Sequence, residues 1–393
     1  MPSRELLSLS LYSLLASNRG GLFIVFLPLY LVEVKGASLP VALTILSLAW
    51  VPSSLIGPWM GRLSDRAGRR KPFLLLGEAA AFPLFLAIIW APGYLAAGAL
   101  FVAAELALAI GGPAYTAFVA DVTKIDERGM GYGLLNATSN AGAVVGFIVA
   151  GLVTYWYGLQ ALFPFVVVMM VGTLSVVVLL VPDIRLEKPR ERRPLREMKP
   201  VVTFSFAVSI RAIGSGAVAG IYGIFAASLG ANFLEVSIVG IAGLVTGAVT
   251  GVPLGRWIDK IGEIRGIWYG TVLTLASYGI FIFSTTWEEV IPAQAVRNSG
   301  LSLLGPGMNA WVTRMAPADQ RAEYLGVFSL INSTLWSVGP LVGAVAILLD
   351  GYFGLFAMAV GTTVVSLAIM EFLYGEMGIR ARLQGNRVRA GAG

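Results

Sequence analysis

Long apolar stretches of about 20 residues recur along the chain, separated by short polar segments. A helix of that length spans about 30 Å, the thickness of the hydrocarbon core of a bilayer. Strands of a transmembrane barrel would be shorter and would alternate in polarity, which these stretches do not. The pattern predicts an all-α membrane protein with twelve transmembrane helices. Their approximate bounds are 6–33, 39–60, 73–92, 95–119, 131–156, 161–181, 201–229, 234–255, 265–286, 289–312, 325–348 and 354–374.

Composition supports a membrane protein and excludes several kinds of chemistry. Apolar residues make up 57% of the chain and charged residues 13%, whereas a soluble domain carries roughly twice that share of charge. The chain has no histidine and no cysteine, so disulfides, imidazole catalysis, thiolate metal sites and histidine metal ligands are excluded. No GxxxxGK[ST] nucleotide-binding loop occurs. We therefore expect no enzyme, no cofactor, no bound metal and no ATP-driven pump.

Basic residues fall almost entirely on one side of the predicted membrane. If the chain starts inside and crosses twelve times, 24 of its 28 basic residues share that side, and only Lys35 lies on the other. Basic loops stay in the cytoplasm, so we predict a multi-pass protein of the cell membrane with both termini cytoplasmic. The same distribution argues against a nucleic-acid-binding face. The expected partners are the lipid bilayer, a small-molecule substrate and the proton, and the protein is expected to be a monomer.

Two loops carry nearly the same residues: GRLSDRAGRRK at 61–71 and GRWIDKIGEIR at 255–265. Each follows one long apolar stretch and precedes another. Sliding the second half over the first by 193 residues also aligns residues outside the loops. The aligned pairs are Pro113 with Pro306, Arg128 with Arg321, Gly133 with Gly326 and Gly146 with Gly339. The chain is thus predicted to contain two copies of one six-helix unit.

The repeat and the loops predict four regions. A six-helix bundle over 1–181 is followed by a cytoplasmic linker over 182–200, which mixes basic and acidic residues with prolines. A second six-helix bundle covers 201–375. The last region is a basic cytoplasmic tail over 376–393.

The repeated loop resembles the motif GxLaDrxGrkxxl, found between the second and third helices of the major facilitator superfamily. The resemblance covers essentially the whole chain. It implies two pseudo-symmetric six-helix bundles that alternate access to a cavity at the midplane, lined by helices 1, 4, 7 and 10. It also implies that Asp65 caps the start of helix 11 and that Asp259 does the same at helix 5.

A paired change of sign predicts contacts at the cytoplasmic face. In the first half the loop offers Arg69 and the end of helix 4 offers Asp121, whereas the second half has Glu263 and Arg314 at these places. Residues in contact would change sign together, so we predict one salt bridge within each pair, favouring the outward-facing state. The alternative is a set of surface ion pairs with little effect. The predicted gate residues are Asp65, Arg69, Asp121, Asp259, Glu263 and Arg314.

Four ionisable residues lie near the middle of predicted spans: Arg19, Glu105, Arg211 and Arg297, on helices 1, 4, 7 and 10. Burying such a charge costs several kcal/mol unless it faces a polar cavity or a partner. We therefore expect these side chains to line a shared cavity. The alternative is that they only pair with one another and hold helices together. The predicted cavity residues are Asn18, Arg19, Glu105, Tyr115, Arg211, Tyr222, Gln294, Arg297 and Asn298.

Three arginines and one glutamate in a cavity favour an anionic substrate, because guanidinium groups bind carboxylates and phosphates through two hydrogen bonds. We expect Arg19 to pair with Glu105, and a substrate that competes for Arg19 would free Glu105 to take a proton. Glu105 is therefore the predicted proton-coupling site. Glu78 lies closer to a predicted helix end and is not expected to carry protons.

The resulting hypothesis is a proton-coupled secondary transporter of a small anionic or amphipathic organic solute. One alternative is a broad-specificity drug or metabolite antiporter. The segment Gly339–Gly343 resembles the GPxxG fragment of an antiporter motif, yet that motif belongs to helix 5, where Phe147 replaces the proline. The helix 4 arginine of the antiporters is replaced by Phe101. The other alternative is a membrane sensor that transports nothing.

Overall fold

The computed structural model describes residues 4–122, 128–183, 198–316 and 320–375. Most of the predicted linker and the whole tail over 376–393 lie outside them, so these two regions stay predictions. The described chain is almost entirely helical and contains no β-strand. The helices are α1 Arg4–Leu29, α2 Leu39–Ala67, α3 Lys71–Ile88, α4 Tyr94–Val122, α5 Arg128–Tyr157, α6 Leu162–Leu179, α7 Lys199–Ser228, α8 Phe233–Ile261, α9 Glu263–Phe283, α10 Val290–Met315 and α11 Arg321–Met370.

The longest helix, α11, is interrupted and supplies two of the twelve predicted spans. Asp350 and Gly351 have non-helical backbone angles, and Gly351 has a positive φ of 57°, which glycine adopts at little cost. The break separates the segments 321–349 and 352–370. The described residues thus form twelve helical segments, and the predicted all-α fold is confirmed.

Nine of the described helices are long and apolar enough to cross a membrane by length and composition. The last of these, Glu323–Tyr374, has 52 residues, enough for two crossings. The helix α10 is not among the nine. It carries the polar residues Gln294, Arg297 and Asn298.

The same packing recurs in the two halves, α1–α6 and α7–α11. α1 packs on α5 as α7 packs on α11, and α2 packs on α4 as α8 packs on α10. Both α1–α5 and α7–α11 approach closely at equivalent glycines. A Cβ on Gly146 would overlap the carbonyl oxygen of Asn18, and one on Gly339 would overlap that of Ile213. These contacts extend the 193-residue repeat from sequence to packing.

The two ends of the molecule differ in how the halves meet. We call the end with the loop 61–71 the basic end, and the opposite end the far end. At the far end one buried apolar cluster includes residues of both halves, such as Leu46 and Ile221. At the basic end each half has its own cluster, around Phe118 in the first and around Phe204 in the second. Among the described residues, the buried apolar core is therefore shared by the halves at the far end and divided between them at the basic end.

Candidate substrate cavity and its ion pairs

Arg19 pairs with Glu78 of α3, so the predicted pairing with Glu105 is wrong. Its Nη1 and Nη2 donate to the two carboxylate oxygens of Glu78 at 2.8 and 3.1 Å. The hydroxyls of Tyr12 and Thr173 donate to the same carboxylate at 2.9 and 3.3 Å. A buried carboxylate requires such partners, and this one has four hydrogen bonds from α1 and α6.

The helix bounds explain why sequence reasoning misplaced Glu78. The structure begins α3 at Lys71 and ends it at Ile88, so Glu78 lies near its middle rather than near an end. Tyr12 precedes Arg19 by two helical turns and therefore shares its face of α1. A tyrosine on that face and a lone acidic residue within an apolar helix were the signals available for this cluster.

Glu105 of α4 is partly exposed. It lies close enough to Arg19 and Glu78 for electrostatic interaction. No hydrogen bond joins it to any residue that the structure describes. Glu105 thus differs from Glu78, whose carboxylate is almost completely enclosed and fully bonded.

The second half contains two buried guanidinium groups, and neither has a carboxylate partner among the described side chains. Nη2 of Arg297 donates to the carbonyl and hydroxyl oxygens of Ser215 at 3.0 and 3.2 Å. Nη2 of Arg211 donates to the sulfur of Met308 at 3.4 Å, a weak acceptor. The Nε of each arginine has no hydrogen-bond partner among the described atoms. The second half therefore holds two positive charges with unused donors.

The repeat shows why the halves differ. At the 193-residue offset, Thr271 stands where the first half has Glu78. Thr271 is fully buried, and its hydroxyl donates to the carbonyl of Ile267 on its own helix at 2.7 Å. The second half therefore lacks this carboxylate, and its deep Arg211 lies one residue before the position equivalent to Arg19. The first half neutralises its deep arginine, and the second half does not.

Several predicted cavity residues surround these arginines. Gln294 is buried and accepts from Nη1 of Arg297 at 3.4 Å. Tyr222 is buried and interacts electrostatically with Arg297. Tyr278, absent from the predicted set, is fully buried, and its hydroxyl lies near Ser215 and both arginines. The second half thus brings together cations, phenols and an amide.

The other predicted cavity residues are placed elsewhere. The Nδ2 of Asn298 donates to the carbonyl of Gln294 on its own helix at 2.9 Å, and its side chain faces Gly243 of α8. Tyr115 lies against Tyr12, with ring centroids 5.2 Å apart. Asn18 is buried in α1, and its Oδ1 has no partner among the described atoms.

At the basic end, Arg70 takes the place predicted for Arg69. The Nε of Arg70 lies 3.0 Å from Asp121 Oδ2, and its Nη1 lies 2.7 Å from Asp65 Oδ1. Arg69 instead pairs with Asp183. The turn at Gly68, whose φ is 62°, ends α2, and the next helix starts directly after Arg70. This geometry buries Arg70 and leaves Arg69 more exposed.

The predicted ion pair of the second half is present. Arg314 Nη1 lies 3.0 Å from Glu263 Oε2, joining the end of α10 to the start of α9. Like the pairs of Arg70, it lies within one half. The described pairs therefore brace each bundle, and a role in gating stays a prediction. So does the contact of Asp65 with α11, and the side chain of Asp259 lies outside the described part of the structure.

Comparison with known proteins agrees with this architecture. The sequence profile of the Major Facilitator Superfamily matches the chain twice, over residues 9–205 and 204–389. An uncharacterized MFS-type transporter of Bacillus subtilis, YqjV, is 23% identical over 90% of this chain and 89% of its own length. A Lactococcus lactis homologue of the multi-drug resistance efflux pump PmrA is 23% identical over 91% of each chain.

Solved structures show the same fold. The nucleoside transporter NupG superposes with a TM-score of 0.78 at 12% identity, over 94% of this chain and 99% of its own. The family and these relatives are transporters rather than enzymes. Both halves of the sequence match the same profile, and the helices pack as two equivalent bundles. The chain belongs to the Major Facilitator Superfamily.

Proposed function

We propose that this protein is a proton-coupled secondary transporter of a small organic anion. The observation that supports this most directly is the pair Arg211 and Arg297, buried without a carboxylate partner among the described residues. A buried charge with unsatisfied donors is costly. A carboxylate or phosphate group bound there would neutralise the charge and accept the free N–H groups.

The first half supplies the proton site in this proposal. Because Arg19 is held by Glu78 at 2.8 Å, the substrate does not need to displace Arg19. Glu105 is partly exposed and lacks a described hydrogen-bond donor, so it is the deep carboxylate best able to exchange a proton with the cavity. Protonation of Glu105 would lower the negative charge that an incoming anion meets.

The arrangement of the halves supports alternating access. They share an apolar cluster at the far end and have separate clusters at the basic end, which favours a cavity open toward the basic end. We place the basic end and both termini in the cytoplasm of the cell, from the asymmetry of charge, and we propose that a single chain is the transport unit. Fusion reporters at each terminus would test the topology.

The test is flux into proteoliposomes with and without a pH gradient, using a panel of small carboxylates and phosphate esters. Replacing Arg211 or Arg297 by glutamine should weaken anion uptake about 10- to 100-fold, as expected for losing a charge-assisted hydrogen bond. The exposed Arg265, replaced in the same way, is the matched control. Anion uptake that is unchanged in both the Arg211→Gln and the Arg297→Gln variant would refute the anion site.

Drug efflux is the second candidate, since the Lactococcus lactis relative is named a multi-drug resistance efflux pump homologue over 91% of each chain. The same vesicles loaded with the lipophilic cation ethidium distinguish the two. Ethidium movement with no anion flux would favour efflux of drugs. Movement of neither class under any gradient would favour a sensor.

A further inference from the structure

Ser47 of α2 contacts the backbone of α11 across the boundary between the halves. Its hydroxyl donates to the carbonyl oxygen of Ser337 at 2.8 Å and accepts from the amide of Leu341 at 2.8 Å. Ser337 and Leu341 are four residues apart, so in a regular helix this carbonyl and amide bond to each other. A side chain from one half therefore occupies a backbone hydrogen-bonding position of the other.

The preceding position in α11 is already altered by Pro340. Proline has no N–H, so the carbonyl of Trp336 loses its helical donor, and the ring pushes that carbonyl aside. The same carbonyl lies against Gly216 of α7, where a Cβ would overlap it. Helices bend at prolines and where a side chain enters the hydrogen-bond ladder, and here both occur within one turn.

Two further contacts lie on the same face of α2. The ring of Trp50 stacks on that of Trp336, with centroids 5.0 Å apart and planes at 29°. The hydroxyl of Ser54 lies 3.2 Å from that of Thr334. Ser47, Trp50 and Ser54 are spaced three and four residues apart, so they form one continuous stripe.

The equivalent boundary, between α5 and α8, uses a different chemistry. At the 193-residue offset, Gly240 replaces Ser47 and Phe147 replaces Pro340. A Cβ on Gly240 would lie 2.7 Å from the ring of Phe147, so the ring rests on bare backbone. This contact is apolar and non-directional, whereas the contact of Ser47 has a fixed geometry.

We propose that Ser47 is a latch that couples closure of the far end to bending of α11 beside Pro340. With the far end closed, the Ser47 hydroxyl holds Ser337 and Leu341. When α2 and α11 separate, the Ser337 carbonyl and the Leu341 amide bond to each other and α11 straightens. Opening thus exchanges two hydrogen bonds across the halves for one within the helix, which makes the latch reversible.

The inference rests on the alternating access of the proposed function, and its test measures conformation rather than transport. The chain has no cysteine, so Ser38→Cys and Leu349→Cys can carry spin labels at exposed far-end positions without a background signal. Electron–electron distance measurements in lipid nanodiscs then report the closed and open populations. Ser47→Ala should lower the closed-to-open ratio about 3- to 10-fold.

Ser205→Ala is the matched control, because Ser205 is a fully buried serine whose hydroxyl donates to Val201 of its own helix at 2.6 Å and to no other described residue. Pro340→Ala is the second variant. It restores a helical N–H and should also lower the closed population, and adding Ser47→Ala to it should change little more. If Ser47→Ala does not fold, an unchanged closed population in Pro340→Ala overturns the latch.

The outcomes separate the two proposals. The latch alone is overturned if the closed-to-open ratio is unchanged in both Ser47→Ala and Pro340→Ala. It is also overturned if Ser205→Ala shifts this ratio as much as Ser47→Ala does. A single short distance in every variant overturns both the latch and the alternating-access motion. A selective shift in Ser47→Ala that is lost in the Pro340→Ala background supports the latch.

Discussion

Arg19 of α1 and Glu78 of α3 form a two-point ion pair, with N–O distances of 2.8 and 3.1 Å, in which both side chains are almost completely buried. This pair changes the charge balance of the predicted cavity. The first half neutralises its deep arginine internally, so the cationic character of the cavity belongs to the second half. In the proposed function, the substrate's charge is bound by the second bundle and the proton by the first.

Glu78→Gln should destabilise the protein, because it leaves the Arg19 guanidinium buried beside a neutral group. Removing one partner of a buried pair costs about 3–5 kcal/mol, which should appear as a clear drop in the midpoint of thermal unfolding in detergent. Glu371→Gln, at an exposed position, should leave the midpoint unchanged. Replacing Arg19 and Glu78 together by leucine should recover much of the loss. Equal stability of Glu78→Gln and the parent would contradict the pairing.

Arg70 and Arg69 are neighbours, but substituting them should affect stability very differently. Arg70→Gln removes contacts to Asp65, Asp121 and the hydroxyl of Ser64, which lies 2.6 Å from Nη1. We expect a loss of about 2–3 kcal/mol in unfolding free energy, as for charged hydrogen bonds in a buried setting. Arg69→Gln breaks an exposed pair and should change stability little. Denaturant titration of both variants checks the contrast, and a larger effect for Arg69 would reverse the assignment.

Sequence patterns predicted the number of helices, the internal repeat and the pair of Glu263 with Arg314. These depend on chain-local features such as the length of apolar stretches, the offset of repeated residues and paired changes of sign. Glu263 begins α9 and Arg314 lies in the last turn of α10, so both residues of this pair lie within regular helices, whereas Arg69 lies in the turn between two helices.

The deep site was only partly predictable. Helices that are apolar on every side give little periodic signal of which face is buried, so rotation about the helix axis is left undetermined. That rotation decides whether Arg19 meets Glu78 or Glu105, and whether Ser47 reaches α11. The left-handed turn at Gly68 likewise decides which of Arg69 and Arg70 is buried. Neighbouring residues at such a turn point in different directions, and the sequence does not show which of them points inward.

Thr271→Glu should give the second half the carboxylate that Glu78 gives the first. A glutamate there would neutralise Arg211 and compete with any bound anion, so anion uptake should fall more than about 10-fold. Thr271→Gln has the same size without the charge and is the control for steric effects. Equal uptake by the two variants would show that charge at this position does not govern the site.

Glu105→Gln should abolish the dependence of transport on a pH gradient and leave the exchange of labelled for unlabelled anion across the membrane intact. The substitution fixes the side chain in a neutral form, so the cycle no longer carries a proton, while the arginines of the second half still bind substrate. Proteoliposome counterflow and gradient-driven accumulation, measured in the same preparation, separate the two activities. Glu371→Gln should retain both. Accumulation that persists in Glu105→Gln would assign coupling to another group. Glu78 would then be the carboxylate to substitute next, although its four hydrogen bonds stabilise the charged form in this structure.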